Sequence, residues 1–371
     1  ILVLDESHTA AGSESKRGQY VRGLLSQAQG AMYLSATYAK RPDNLGLYHL
    51  TSIGDAVQNM EELQEALAQG GLQLQTLVSA MMSEEGELIR REKSLEGVGV
   101  ANEIDQGNKA GDAEKFSKST EILRDIVRLG KGFVAHIKKT NKSNSSNQEL
   151  KANTNVDKLN PFMFSSVVHN YVSQLTLAIK AQSAADSALE AIKTGSKPVI
   201  ALEATLESKL DDYMESNGLS IGDSVEGFTF GDMFEKGLLN AISLSEKLPN
   251  GDTKKTPYSF SELPPNLYAQ YQNIVNKIEA SDFSDIPVSP IDFIRKTITD
   301  AGYSIAEVTG RNKMIDYSDS MKVVNKPASE SKANRRKVID KFNSGKLDVL
   351  VLNQSASTGL SMHAPGNFRD Q

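Results

Sequence analysis

ILVLDESHTAAGSESKRGQYVRGLLSQAQGAMYLSAT, residues 1–37, sets two apolar runs, ILVL at 1–4 and AMYLSAT at 31–37, around SKRGQYVRGLLSQAQ. Short continuous apolar runs bounded by polar residues read as buried strands. The segment between them carries its apolar residues at helical spacing and reads as an amphipathic helix. Strand, helix and strand in that order form the right-handed crossover of a parallel sheet. The first strand runs straight into Asp5-Glu6-Ser7-His8 and the second into Ser35-Ala36-Thr37. Both therefore deliver polar groups to the carboxyl edge, where open α/β sheets bind ligands.

The alternation recurs further on. KPVIALEA (197–204), IDFIRKTITDAGY (291–303), SIAEVTG (304–310), ANRRKVIDKFNSG (333–345) and LDVLVLNQSA (347–356) read as strand, helix, strand, helix and strand. A polar segment containing Pro and Gly, from about 206 to 290, interrupts this series and is too long for a plain loop, so it reads as an insertion with structure of its own. Helical spacing also marks 55–70, 72–83, 115–130 and about 162–193. The fold class predicted is α/β with parallel sheets in two lobes, the first incomplete. It divides as residues 1–110, a helical connecting region at 111–194 and a second lobe at 195–371 that carries the insertion.

At 371 residues the chain has length for two or three cores, and with no cysteine it contains neither disulfides nor thiolate metal sites. No apolar run approaches the roughly 20 residues that span a bilayer, so no membrane partner is expected. The absence of cysteine permits a reducing compartment, and a cytoplasmic location is the expectation. A net charge of −6 argues against a broadly basic surface, leaving nucleic acid to local patches. Lys138-Lys139-Thr140-Asn141-Lys142 is one such patch, although the Ser/Asn-rich run around it favours an ordinary solvated loop.

Each polar group at the first sheet edge has a physical task if a nucleoside triphosphate binds there. Asp5 at the strand end holds Mg²⁺ through water, Glu6 polarises the attacking water, and His8 relays that state to the next strand. The plain alternative is a pair of surface acids at a helix start, favoured by the helix dipole. Ser35 and Thr37, with small Ala36 between them, carry hydroxyls that can bond the side chains of the first strand end and change partners as the γ-phosphate leaves; the plain alternative is small residues that permit tight strand-to-loop packing. In the second lobe, Ser357-Thr358-Gly359 follows a buried strand, with Gly359 allowing close backbone approach; read alone, it is a flexible turn, and a phosphate-contacting role for it comes only with the resemblance given below. Arg311 in the AEVTGR turn (306–311) is a candidate phosphate contact, with an exposed loop arginine as the equal alternative. Tyr38 and Tyr48 are candidates for base stacking, but core or rim packing is the better reading. His363 reads as solvated, and Arg90 and Arg91 as structural.

DESH at one strand end with SAT at the next resembles motifs II and III of superfamily 2 helicases and translocases, whose two RecA-like lobes clamp ATP. The STGLS segment (357–361) stands where that superfamily has motif V. With GELIRREKSLEGVGV (86–100), GSKPVIALEAT (195–205) and AEVTGR in this order, the chain looks like the strawberry notch family, found in animals and, as phage and mobile-element relatives, in bacteria. The resemblance implies ATP as substrate, Mg²⁺ as cofactor, DNA or RNA as the track and the cytoplasm of a bacterium or phage-infected host as the setting. It departs from the family in two places. No GxxxxGK[ST] occurs, Gly130-Lys131-Gly132 lacking the hydroxyl residue, the preceding strand and the preceding glycine, and the motif VI arginines are expected shortly after Arg369-Asp370-Gln371. The expectation is a fragment of a longer enzyme, with an upstream phosphate-loop segment and a downstream motif VI segment. A non-catalytic module that binds nucleic acid or protein is the alternative. An unrelated Mg²⁺-dependent hydrolase leaves SAT and STGLS unexplained.

Overall fold

Strand β1 (Leu2–Asp5) pairs in parallel with β2 (Ala31–Leu34), with Leu2 opposite Ala31 and Asp5 opposite Leu34, and helix α1 (Lys16–Leu25) makes the crossover. The computed structural model of the chain describes residues 1–12, 15–35, 42–53, 59–89, 98–102, 112–143, 161–247, 253–353 and 362. It is mixed α/β with parallel sheets and separates into two compact units, Ile1–Ala101 and Asn102–Gln371.

In the first unit, Leu2, Leu4, Ala31 and Tyr33 pack on a core that includes Leu25, Leu45, Leu47 and Leu67. The alternate residues Val3, Met32 and Leu34 are exposed, so the expectation of buried strands holds for one face of this pair. Helix α2 (Met60–Glu84) follows, broken at Gly71, whose φ of 59° and ψ of −150° are non-helical; that break separates the two helices read from the sequence.

The second unit begins with α3 (Asp112–Ser143), α4 (Pro161–Ile179) and α5 (Ala181–Lys193). Helix α3 runs well past the predicted 115–130, and the Lys138-Lys139-Thr140-Asn141-Lys142 stretch, read as loop, belongs to it. The cause is packing, because Ile122, Ile126, Leu129, Phe133 and Ile137 form one buried seam. Each such side chain is worth roughly 1.5–3 kcal/mol on burial, against tenths for poor local propensity.

Three parallel strands follow, β3 (Val199–Leu202), β6 (Ile305–Val308) and β9 (Val349–Asn353), in the spatial order β3-β9-β6. The all-apolar run VLVL of β9 places it at the centre, with Val349 and Leu350 fully buried on opposite faces. On one face Val349 meets α5 and α9 (Pro290–Asp300), through Ala181, Ala185, Ala188, Ile294 and Ile298. On the other, Leu350 and Leu352 meet Val338, Ile339 and Phe342 of α10 (Arg335–Asn343).

Residues 206–290 contain α6 (Glu207–Asn217), α7 (Phe230–Ala241), the antiparallel pair β4 (Ser243–Lys247) and β5 (Thr253–Pro257), and α8 (Pro265–Glu279). The insertion is not separate from the helical connection. Phe230, Phe234, Leu238, Leu267 and Ile274 share one core with the α3 seam and with Tyr171 and Leu175 of α4. A second antiparallel pair, β7 (Lys313–Asp316) and β8 (Lys322–Asn325), caps that core through Ile315 and Val323.

Candidate functional site

The carboxyl end of β1 turns sharply. Glu6 adopts φ 49° and ψ 44°, a left-handed conformation that costs a non-glycine residue about 1–2 kcal/mol, and a 3-10 turn over Ser7–Ala10 follows. Buried Ser7 fixes the turn from below, its hydroxyl 3.2 Å from that of Tyr48. Tyr48 packs edge-on to Tyr33, whose hydroxyl donates to the Leu47 carbonyl at 3.0 Å. Burial, helped by Tyr48, pushes the Tyr33 phenol up to about 12, so it stays a neutral donor. From above, Arg22 donates to the carbonyls of Ala11 at 2.8 Å and Gly12 at 3.3 Å. The turn also lies against the start of α1 so closely that a Cβ on Gly18 would stand 2.1 Å from the Gly12 carbonyl oxygen.

Three side chains project from this braced turn. Asp5 is exposed, one carboxylate oxygen accepting the Glu6 N–H at 2.9 Å. The Oε2 of Glu6 is shielded from solvent yet has no hydrogen-bond partner among the described residues, although His8 Nδ1 lies 3.3 Å away off the line of a bond. His8 Nδ1 is instead 2.9 Å from the Ser35 hydroxyl just beyond β2, so the imidazole donates or accepts there according to its tautomer. The structure thus brings Asp5, Glu6, His8 and Ser35 to one sheet edge. Ala36 and Thr37 lie outside the described residues, as do Tyr38, Arg90, Arg91, Ser357, Thr358, Gly359 and His363.

The donor set fits Mg²⁺ held through water. One open carboxylate at a strand end suits an ion that keeps most of its waters and takes its remaining ligands from substrate phosphates. Among the described residues, no group of three or more His, Asp or Glu could hold a metal by itself.

Arg311 corrects the reading of a phosphate contact or an exposed loop arginine. Only 3% exposed, its Nε donates to Glu307 at 2.8 Å, Nη1 to Asp292 at 2.9 Å and Ser289 at 3.5 Å, and Nη2 to both Asp292 and Glu307. All five N–H donors of the fork are therefore occupied. Arg295 and Lys326 add two cations and Glu330 a third carboxylate, giving three charges of each sign. Burial alone would raise the Glu307 carboxyl, but the hydrogen bond and charge of Arg311, with Arg295 and Thr309, outweigh it and hold the group at about 2. Burial likewise pulls Lys326 below the usual lysine range, partly offset by Glu307.

Tyr48, the other stacking candidate among the described residues, is core, 3% exposed. The sequence reading passed over Ser7, Arg22 and Tyr33 as the braces of the site. Tyr33 had a signal, since it alternates with Met32 and Leu34 on the core-facing register of β2. Set against known protein families, curated proteins and solved structures, the chain matches none. Among the described residues no helix is long and apolar enough to cross a membrane.

Proposed function

We propose that this chain is part of an ATP-dependent nucleic-acid helicase or translocase, with the end of β1 as its hydrolytic edge and the two units as its RecA-like lobes. The observation that carries the reading is the 2.9 Å bond from His8 to Ser35, which ties the residue behind the acid pair to the neighbouring strand end. Bound Mg²⁺ would neutralise the triphosphate. Asp5 would hold that ion's water, and Glu6, with one oxygen shielded and unbonded among the described residues, would accept a proton from the attacking water. His8 would convey the charge of Glu6 to Ser35, linking nucleotide state to the second strand. The strain at Glu6 supports the reading, because left-handed non-glycine residues cluster where a side chain must be aimed. The strawberry notch resemblance adds DNA or RNA as the track, with Ser357, Thr358 and Gly359 as candidates to touch it.

No GxxxxGK[ST] lies within the 371 residues, so the proposal requires a phosphate-binding loop from elsewhere in a larger protein. The same absence favours a second reading of these residues on their own, a module that binds without turnover. The test is ATPase activity of residues 1–371 beside that of a protein that joins them to such a loop. The proposal expects little or no turnover from the first and nucleic-acid-stimulated turnover from the second. Robust hydrolysis by residues 1–371 alone, abolished by Glu6→Gln, would place the phosphate site elsewhere and overturn it.

A further inference from the structure

A groove of about 600 Å³ runs between α3 and α8, wholly inside the second unit and remote in sequence from Asp5, Glu6, His8 and Ser35. Its depth comes from Gly132, where a Cβ would stand 2.9 Å from Leu267 Cδ2, so the helices approach closely and leave an apolar floor of Gly132, Leu267 and Ile274. Arg128, Gly132 and His136 recur at four-residue spacing and line one wall; Asn266, Gln270 and Asn273 line the other from α8. None of these three amides, nor the His136 ring, makes a hydrogen bond or ion pair among the described residues, in contrast with the saturated cluster around Arg311. Asp125 at one end shares Lys277, 2.7 Å away, with Glu121 at 2.6 Å, and Arg128 reaches Asp125 at 3.5 Å with a largely exposed side chain. The groove therefore offers one cation with a carboxylate at its end, one imidazole and three unpaired amides over an apolar floor.

We infer that this groove binds a nucleotide, either free or as one unit of a single-stranded nucleic acid. The chemistry matches part by part. A primary amide presents a donor and an acceptor side by side and so pairs with the edge of a base, adenine best of all. Arg128 is suited to a phosphate oxygen, and its planar fork can bind two at once. The apolar floor takes the face of the base. The volume lies within the range of small-ligand sites. Nothing in this argument uses the sheet edge at Asp5 and Glu6, so the groove stands whether or not the chain belongs to an ATPase.

The experiment titrates residues 1–371 with AMP by calorimetry and with a fluorescein-labelled twelve-residue oligodeoxyadenylate by anisotropy, each repeated with Gln270→Ala/Asn273→Ala and with Arg128→Ala. Gln270, Asn273 and Arg128 are exposed, so the variants should keep the wild-type melting curve. The inference expects saturable binding of at least one probe, weakened about tenfold or more by the double amide change and about fivefold by Arg128→Ala. Binding of AMP assigns the groove to a free nucleotide, and binding of the oligonucleotide alone assigns it to a strand. Failure of both probes to bind overturns the inference, as does binding that all the variants leave unchanged.

Discussion

Two strand ends in this chain carry acids beside a basic residue, and they have opposite fates. At the end of β6, Glu307 and Arg311 are almost fully buried and every donor of the guanidinium has an acceptor. At the end of β1, Asp5 is exposed, one oxygen of Glu6 is shielded without a hydrogen-bond partner among the described residues, and His8 reaches across to Ser35. The surroundings follow the same division. The central strand β9 is covered on both faces, whereas β1 and β2 leave Val3, Met32 and Leu34 open. Saturation, more than residue type, separates a polar cluster that holds a fold together from one that has chemistry left to do.

The comparison breaks most readily at the buried end. Arg311→Met leaves Glu307 and Asp292 buried without their shared cation and should cost about 3–5 kcal/mol. Because the chain has no tryptophan, urea unfolding followed by circular dichroism is the suitable measurement. A loss under about 1 kcal/mol would mean that the cluster is not the structural knot described.

Acid sharpens the same contrast. Glu307 is held at about 2 in the folded chain, below its ordinary 4.5, so its contribution is complete above about 4.5 and fades as pH falls toward 2. Urea midpoints measured from pH 5 to 2.5 should drop for the wild-type chain, and Glu307→Gln, already less stable, should show a shallower drop. Parallel slopes would remove Glu307 as the titrating group.

At the other strand end, Gly18→Ala forces a methyl against the Gly12 and Ala10 carbonyls, which are backbone and cannot rotate away. The expected cost is about 1–3 kcal/mol in the first unit, read as earlier loss of amide-exchange protection in α1 than in α10. The smallest effect belongs to the residues proposed for chemistry. His8→Ala removes one half-buried hydrogen bond and should cost about 0.5–1.5 kcal/mol, and exposed Asp5→Asn less than about 0.5 kcal/mol, in the same urea assay. A larger loss at Asp5 would make the β1 end structural as well.

These outcomes also bear on what could be read from the chain. The β1-α1-β2 unit and the burial of β9 were legible because local apolar patterning dictates them. The β7 and β8 pair was not, since KMID and KVVN each offer only two apolar residues and the turn between them uses Ser320 and Met321 at φ 49° and 48°, residue types that no hairpin rule selects. Arg311 was misread for a related reason. Its partner Asp292 lies 19 positions away on α9, and only the folded chain shows that the pair is buried. The place of the acid pair at the end of a strand was legible, whereas Ser7, Arg22 and Tyr33 brace it through contacts with Tyr48, with the Ala11 and Gly12 carbonyls and with the Leu47 carbonyl, which a motif does not encode.

The most direct test of the open strand end is Glu6→Gln in a protein that joins this chain to a phosphate-binding loop, with ATP affinity and nucleic-acid-stimulated turnover measured side by side. The amide keeps the shape and the strained backbone of Glu6 but cannot take a proton from water. The account predicts turnover reduced by about 100-fold or more, the scale of a lost general base, with ATP affinity within about threefold of wild type. Turnover near the wild-type value would contradict it and leave Asp5, Glu6 and His8 as surface residues at a braced turn.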